Sequence, residues 1–303
     1  MDGAAQGKRR WSATAAVVLA AAVAVPALQG CSTEAAVAAP LTAELNQFRD
    51  NYGRQIIEIQ LSNTSSVPLT VFSAEVSSSL FPAGTSWRAM PEGTEVPPGQ
   101  TKSLPAMLPA PACGSPGADA DADTSAGAAA AEVEVSFRQG SISSDVRLPA
   151  ADPFGVLPRN RAELCLAQDA GRIARMDLAP ELEVAADGRT AVVRLQVTPR
   201  AAEAGTPRTL TIESIEGTTL LAEAPNSPWP RGVMVAAGGS PGEFRLRFRP
   251  ARCDPHAVAE DKVGTLLPLR LDVGGRRGVF KVPAGAALTG RIHAFVTAAC
   301  TAH

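Results

Sequence analysis

Four cysteines, Cys113, Cys165, Cys253 and Cys300, stand inside two stretches of sequence that match landmark by landmark. In the first, Pro68 begins "PLTVFSAEV", Trp87 follows a Pro/Gly-containing turn, "PPGQTKSL" leads to "PAPAC", "VRLPA" comes next, and "ELCLA" closes the unit. In the second, Pro207 begins "PRTLTIESI", Trp229 sits in another Pro-rich turn, "SPGEFRLRF" leads to "RPARC", "FKVPA" follows, and "TAACTA" closes it. Pro to the first Cys spans 45 and 46 residues, and Trp to that Cys spans 26 and 24. That Cys to the Pro of the "PA" pair spans 36 and 30, and that Pro to the second Cys spans 16 and 17. Four matches in register imply two tandem copies of one domain, because a fixed internal period defines architecture before any motif does. They also select one of the three pairings that four cysteines allow, Cys113 with Cys165 and Cys253 with Cys300.

Apolar and polar residues alternate in "RQIIEIQL" (54–61), "LTVFSAEV" (69–76), "VEVSF" (133–137) and "SDVRLP" (144–149). They alternate likewise in "VVRLQV" (192–197), "TLTIESI" (209–215), "FRLRF" (244–248) and "LPLRLDV" (267–273). Period two is the signature of a strand buried on one face. Asp187-Gly188, Pro241-Gly242 and "GGRRG" (274–278) supply turns, the last a hairpin signal. The fold class is all-β: two tandem immunoglobulin-like β-sandwich domains, residues 51–168 and 176–303, joined by a linker within 168–180, with no long amphipathic helix in either. "GSPGADADADTSAGAAAA" (114–131) is a low-complexity loop peculiar to the first copy.

The N-terminus carries an address. Lys8-Arg9-Arg10 precede an apolar run from Ala13 to Leu28, which meets Gly30-Cys31, the order of an export signal over residues 1–30. The run is 16 residues long and contains Pro26, short of the ~20 residues a spanning helix needs. "LQGC" (28–31) resembles a bacterial lipobox, with Gln29 as its one departure. That resemblance implies acylation of Cys31 and attachment to a membrane by its lipid, followed by a tether over 31–50.

Without residues 1–30 the chain keeps 25 cationic and 29 anionic side chains, a net charge near −4. Nucleic acid is therefore excluded as a partner. One Tyr and few Trp and Phe argue against a sugar or base platform, and the matched positions of Trp87 and Trp229 assign both to packing.

Cys253/His256 and Cys300/His303 form two CxxH pairs, the ligand chemistry of a zinc or copper cluster. Against a metal, the first copy repeats the cysteines as "CGSP" and "CLAQ" without histidine, and export favours disulfides. "GGSPG" (238–242) matches G-x-S-x-G, but a strand pattern follows Ser240 where a nucleophile elbow needs a helix. Asp119, Asp121 and Asp123 alternate like the start of a calcium loop, but Thr124 and Ala130 occupy its Gly and Glu positions. Arg245, Arg247 and Arg249 form the solvated face of one strand.

Through "PPGQT", "PARCDPHAVAED", "KVPA" and the four cysteines, residues 51–303 resemble uncharacterised secreted and lipoprotein domains of actinobacteria, immunoglobulin-like sandwiches with a cysteine pair. The resemblance implies fold and location and no activity. The expected protein is an envelope lipoprotein on the outer side of the cytoplasmic membrane. It is not an enzyme and needs no cofactor, and it binds or scaffolds an unidentified envelope protein or polymer. An extracytoplasmic metal-binding protein using Cys253, His256, Cys300 and His303 is the alternative.

Overall fold

The computed structural model describes residues 39–114, 131–205 and 207–301, which belong to one compact unit beginning at Ala39. The first part of the unit contains β1 (Leu41–Asn46), a 3-10 turn (Arg49–Arg54), β2 (Ile56–Asn63), β3 (Leu69–Ser78), β4 (Phe81–Arg88), β5 (Thr94–Val96), β6 (Thr101–Met107), β7 (Ala131–Gln139) and β8 (Ile142–Ala151). Helix α1 (Val156–Ile173) follows. The second part contains β9 (Ala174–Leu178), β10 (Glu183–Val184), β11 (Ala191–Pro199), β12 (Thr209–Ile215), β13 (Leu221–Glu223), β14 (Val233–Ala236), β15 (Gly242–Pro250), a short α2 (Pro255–Ala259), β16 (Leu266–Val273), β17 (Arg276–Pro283) and α3 (Ala286–Thr301). The chain is predominantly β, and all eight alternating segments of the sequence are strands.

The first eight strands form one sheet in the order β4-β3-β7-β8-β1-β2-β6, with β5 also on β3. Its two end strands, β4 and β6, approach each other, so the sheet is nearly a barrel. The link that makes it continuous is a short parallel ladder, Ala43 opposite Ala150 and Glu44 opposite Ala151. The second part has two separate sheets, β10-β11-β15-β13 with β9 on β11, and β14-β12-β16-β17. Gly274 and Gly275 make the β16–β17 turn, both at positive φ (60° and 90°), as a two-residue hairpin in a right-twisted ladder requires.

Each part has its own apolar core. Leu45, Ile57, Ile59, Leu61, Val71 and Val133 are completely buried in the first, and Leu195, Ile212, Leu246, Phe248, Leu269 and Leu271 in the second. Helix α1 belongs to both. Val156 and Leu157, on its first turn, pack in the first core, whereas Leu166, Ala170 and Ile173, on its second half, pack in the other. Burying a side chain of Leu or Ile size contributes about 1.5–3 kcal/mol, so each core draws several kcal/mol from one helix.

Three expectations are corrected here. Residues 41–46 are not a tether: Leu41, Ala43 and Leu45 point inward on β1, which pairs with β2 along its whole length. No linker separates the two parts, because residues 168–173 finish α1 and Ala174 begins β9 directly. Two long helices exist. Asp152 caps α1 by accepting the N–H groups of Val156 (2.6 Å) and Leu157 (2.9 Å), and Pro158 is tolerated in the first turn, where its missing N–H has no partner to lose. The buried stripe of α3 is Leu288, Ile292, Phe295, Val296 and Ala299, and Phe295 meets Phe248 edge-on with ring centroids 5.3 Å apart.

Candidate functional site at the junction of the two parts

The 3-10 turn between β1 and β2 presents Tyr52, the chain's single tyrosine. The ring is half-buried, and two cations lie over it: the Arg159 guanidinium 5.5 Å and the Lys281 ammonium 5.3 Å from its centroid. Arg159 comes from α1 and Lys281 from β17, so both parts of the chain converge on the ring. Lys281 donates to both carboxylate oxygens of Glu163 on α1, at 2.6 and 2.8 Å, with each side chain about a quarter exposed. A cavity of about 110 Å³ lies beside this group, with Leu266 and Phe280 in its wall. It adjoins a wider cleft of about 450 Å³ bounded by Tyr52, Thr218, Thr219, Arg252, Leu266 and Lys281.

Buried polar groups fix this geometry. Gln47 and Asn160 donate amide N–H groups to each other's oxygens (3.2 and 3.0 Å), and Arg159 donates to Gln47 Oε1 at 2.9 Å. Asn51, on the same turn as Tyr52, donates to Glu58 Oε1 at 3.0 Å. Burial and the nearby Asp50 charge hold the Glu58 carboxyl above the usual carboxylate range, and the Asn51 bond offsets part of the rise. Deeper still, Arg276 Nε of β17 meets Asp169 Oδ2 of α1 at 2.9 Å, with both side chains less than a tenth exposed. Arg276 Nη2 also donates to the Gly114 carbonyl at 2.7 Å, which ties the residue after Cys113 to the second part.

Cys113 is bonded to Cys165 and Cys253 to Cys300, with Cα atoms 5.6 and 5.2 Å apart. Two disulfides place the chain in an oxidising, extracytoplasmic environment. Each joins a segment that follows a strand to one of the two long helices. The sulfurs needed for a CxxH cluster are consumed in these bonds, and no group of three or more His, Cys, Asp or Glu side chains suited to a metal occurs among the described residues. His256 is exposed on α2, where its backbone N–H donates to Asp254 Oδ1, and His293 is half-buried on α3. Cys31, His303 and the three aspartates at 119, 121 and 123 lie outside the described residues.

Ser240 sits in the loop that leads into β15, with a strand and not a helix after it. Arg245, Arg247 and Arg249 alternate outward against buried Leu246 and Phe248. Arg245 pairs with Glu183, whose carboxyl its hydrogen bond holds below the usual range, and Arg247 donates to Thr190 Oγ1. Trp229 is buried and donates Nε1–H to the Arg247 carbonyl at 2.7 Å, and Trp87 packs on the first core. Both tryptophans therefore serve packing. The sequence reading missed Tyr52 because it lay at the edge of the supposed tether; the signal was an isolated aromatic among charges in "FRDNYGR".

No family model and no curated protein matches the chain. Among solved structures it is similar to the CupB2 chaperone of Pseudomonas aeruginosa at 16% identity, covering 76% of this chain and 93% of that one, with a TM-score of 0.21. The exo-chitosanase CsxA of Amycolatopsis orientalis is 14% identical over 81% of this chain and 26% of its own, also with a TM-score of 0.21. A red sea bream transglutaminase is 10% identical over 82% and 31%, with a TM-score of 0.20. Likeness at these scores carries nothing about what this chain does.

Proposed function

We propose that this chain is a cell-envelope lipoprotein, held by acyl chains on Cys31 at the outer face of the bacterial cytoplasmic membrane, that acts as a non-catalytic binding or scaffolding module. It consists of two tandem immunoglobulin-like domains that meet at α1. The order of strand pairing supports the tandem reading. The pairs β1 with β2, β2 with β6, β3 with β7 and β7 with β8 have counterparts in β9 with β11, β11 with β15, β12 with β16 and β16 with β17. Each series ends in a hairpin followed by a helix that carries the second cysteine of its pair.

The observation that carries the binding role is the junction cleft: a tyrosine ring with two cations within 5.5 Å of its centroid, on a support of buried hydrogen bonds, at a boundary between domains. Ligand sites favour such boundaries, and tyrosine and arginine are the residues that most often dominate interface energetics. The cleft is lined by Thr218, Thr219, Arg252 and Lys281 beside Tyr52 and Leu266, which suits a side chain or chain segment of an envelope protein or polymer.

The lipid-free fragment 32–303, immobilised and exposed to envelope extract, is expected to retain a partner that Tyr52→Ala loses at least tenfold. The variant should melt within a few degrees of the wild type, since Tyr52 is only half-buried. Equal capture by both proteins would remove the cleft from the binding role.

A further inference from the structure

We infer that the outer edge of β14 is a docking site for an extended segment of another protein, one that adds as a further strand and carries an apolar side chain at every second position. This surface belongs to the second part of the chain and rests neither on the junction cleft nor on Cys31.

Two observations carry it. The first is the edge itself. β14, of sequence VMVA, ends the sheet β14-β12-β16-β17, and no described strand lies on its far side. Leu210 stands opposite Val235 and Ile212 opposite Val233, and in the same register the Ala237 N–H donates to the Arg208 carbonyl at 2.8 Å. Bonded and non-bonded pairs alternate along an antiparallel ladder, so Val233 and Val235 turn their backbone groups to β12, whereas Met234 and Ala236 turn theirs to the open edge. Outward-facing residues at that interval are what an added strand bonds to. The other edges of the second part are covered, short or charged, as native edges are. β17 is tied to α1 through Lys281 with Glu163 and Arg276 with Asp169, and β9 carries the Arg175–Asp177 pair. β10 and β13 have two and three residues and carry Glu183 and Glu223, paired with Arg245 and Arg231. β14 has neither charge nor proline, and Met234 is 71% exposed.

The second observation is the groove beside this edge. It has a volume of about 300 Å³ and lies between β14, with Val233 and Val235, and the facing sheet, with Val197, Pro199 and Phe244. Successive side chains of a strand point to opposite faces, so a strand laid along β14 turns every second side chain toward this groove. A second copy of this chain does not fill it. In a two-fold pairing of β14 with its own counterpart, the side chains offered are Val233 and Val235, which pack in the core of the copy that carries them; Val235 is only 8% exposed. An extended segment with free side chains meets both requirements, backbone groups for the edge and apolar groups for the groove.

The test selects from a displayed library of random nine-residue peptides on the immobilised 32–303 fragment, which contains the whole compact unit. Enriched peptides are expected to carry apolar residues at alternate positions. Met234→Pro removes the outward N–H and spares the β12 ladder, a change that edge strands accept, and it should weaken these peptides at least tenfold. Met234→Ala, which keeps the backbone donor, should bind them within threefold of wild type. On the wild-type fragment itself, bound peptide should slow amide exchange at Met234 and Ala236 at least tenfold, a readout that does not depend on how the proline variant folds. The inference is overturned if no peptide is enriched on wild type over Met234→Pro, or if Met234→Ala loses as much as Met234→Pro, since the contact is then the methionine side chain and not an added strand. Peptides released by Tyr52→Ala and not by Met234→Pro would overturn it in favour of the junction cleft. A fragment that sediments as a dimer, and as a monomer with Met234→Pro, would assign the edge to a second copy and overturn it as well.

Discussion

Asp169→Ala is expected to destabilise the protein by about 3–5 kcal/mol in urea unfolding, the cost of removing one partner of a buried ion pair. The pair sits where α1 of the first part meets β17 of the second, and neither side chain is more than 7% exposed. Exposed pairs are a useful contrast: Arg175 with Asp177, both about half exposed or more, should contribute 1 kcal/mol or less. The cost reports desolvation and not the net strength of the bond, so a second variant separates the two. Asp169→Leu with Arg276→Met removes both charges and fills the space with apolar side chains. Its loss should be well below that of Asp169→Ala, because a buried ion pair is often replaceable by packing. A double variant as unstable as the single one would mean that the other contacts of Arg276, its bond to the Gly114 carbonyl among them, matter more than the ion pair.

Removing the first disulfide, as Cys113→Ala with Cys165→Ala, is expected to cost about 4 kcal/mol, the chain-entropy value for a loop of 52 residues. The second disulfide closes 47 residues, and its loss should cost nearly as much by the same reasoning. The two losses should differ in where they are felt. Cys165 lies at the middle of α1, between turns that feed different cores, so releasing it from Cys113 loosens both. Cys300 is on α3, whose buried residues all belong to the second core. Hydrogen exchange after either double substitution should show lost protection in both parts, with the largest added loss around α1 in the first case and around α3 in the second. Intact mass with and without reductant checks the starting material, which should gain four daltons.

Much of the architecture was legible because strands with one wet face write their pattern plainly. "FRLRF" and "LPLRLDV" alternate without a break, and the structure buries Leu246, Phe248, Leu267, Leu269 and Leu271 accordingly. The cysteine pairing was legible through spacing alone. Helix α1 was not, for a physical reason: its buried stripe includes Asn160 and Asp169, which hydrogen bond to Gln47 and Arg276 of other elements. A helix that faces polar partners on two sides shows no apolar stripe in its own sequence. Helix α3 does carry such a stripe, with Gly290 and three threonines on its other faces obscuring it. The Tyr52 cleft depends on contacts between residues more than a hundred positions apart, Lys281 with Glu163 and Arg159 with Gln47, and nothing local encodes those.

The physical claim on which the account turns is that one helix completes two cores, so the two parts stand or fall together. The direct measurement is urea unfolding of the 32–303 fragment followed by tryptophan fluorescence in two single-tryptophan variants, Trp229→Phe reporting the first part through Trp87 and Trp87→Phe reporting the second through Trp229. Each curve is to be compared with circular dichroism of the same sample, so that the substitution itself is accounted for. The account expects the fluorescence and circular dichroism transitions to coincide in both variants, as they do for a single cooperative unit. Two transitions by circular dichroism, one matched by each tryptophan, would mean that the parts fold independently, and would contradict it.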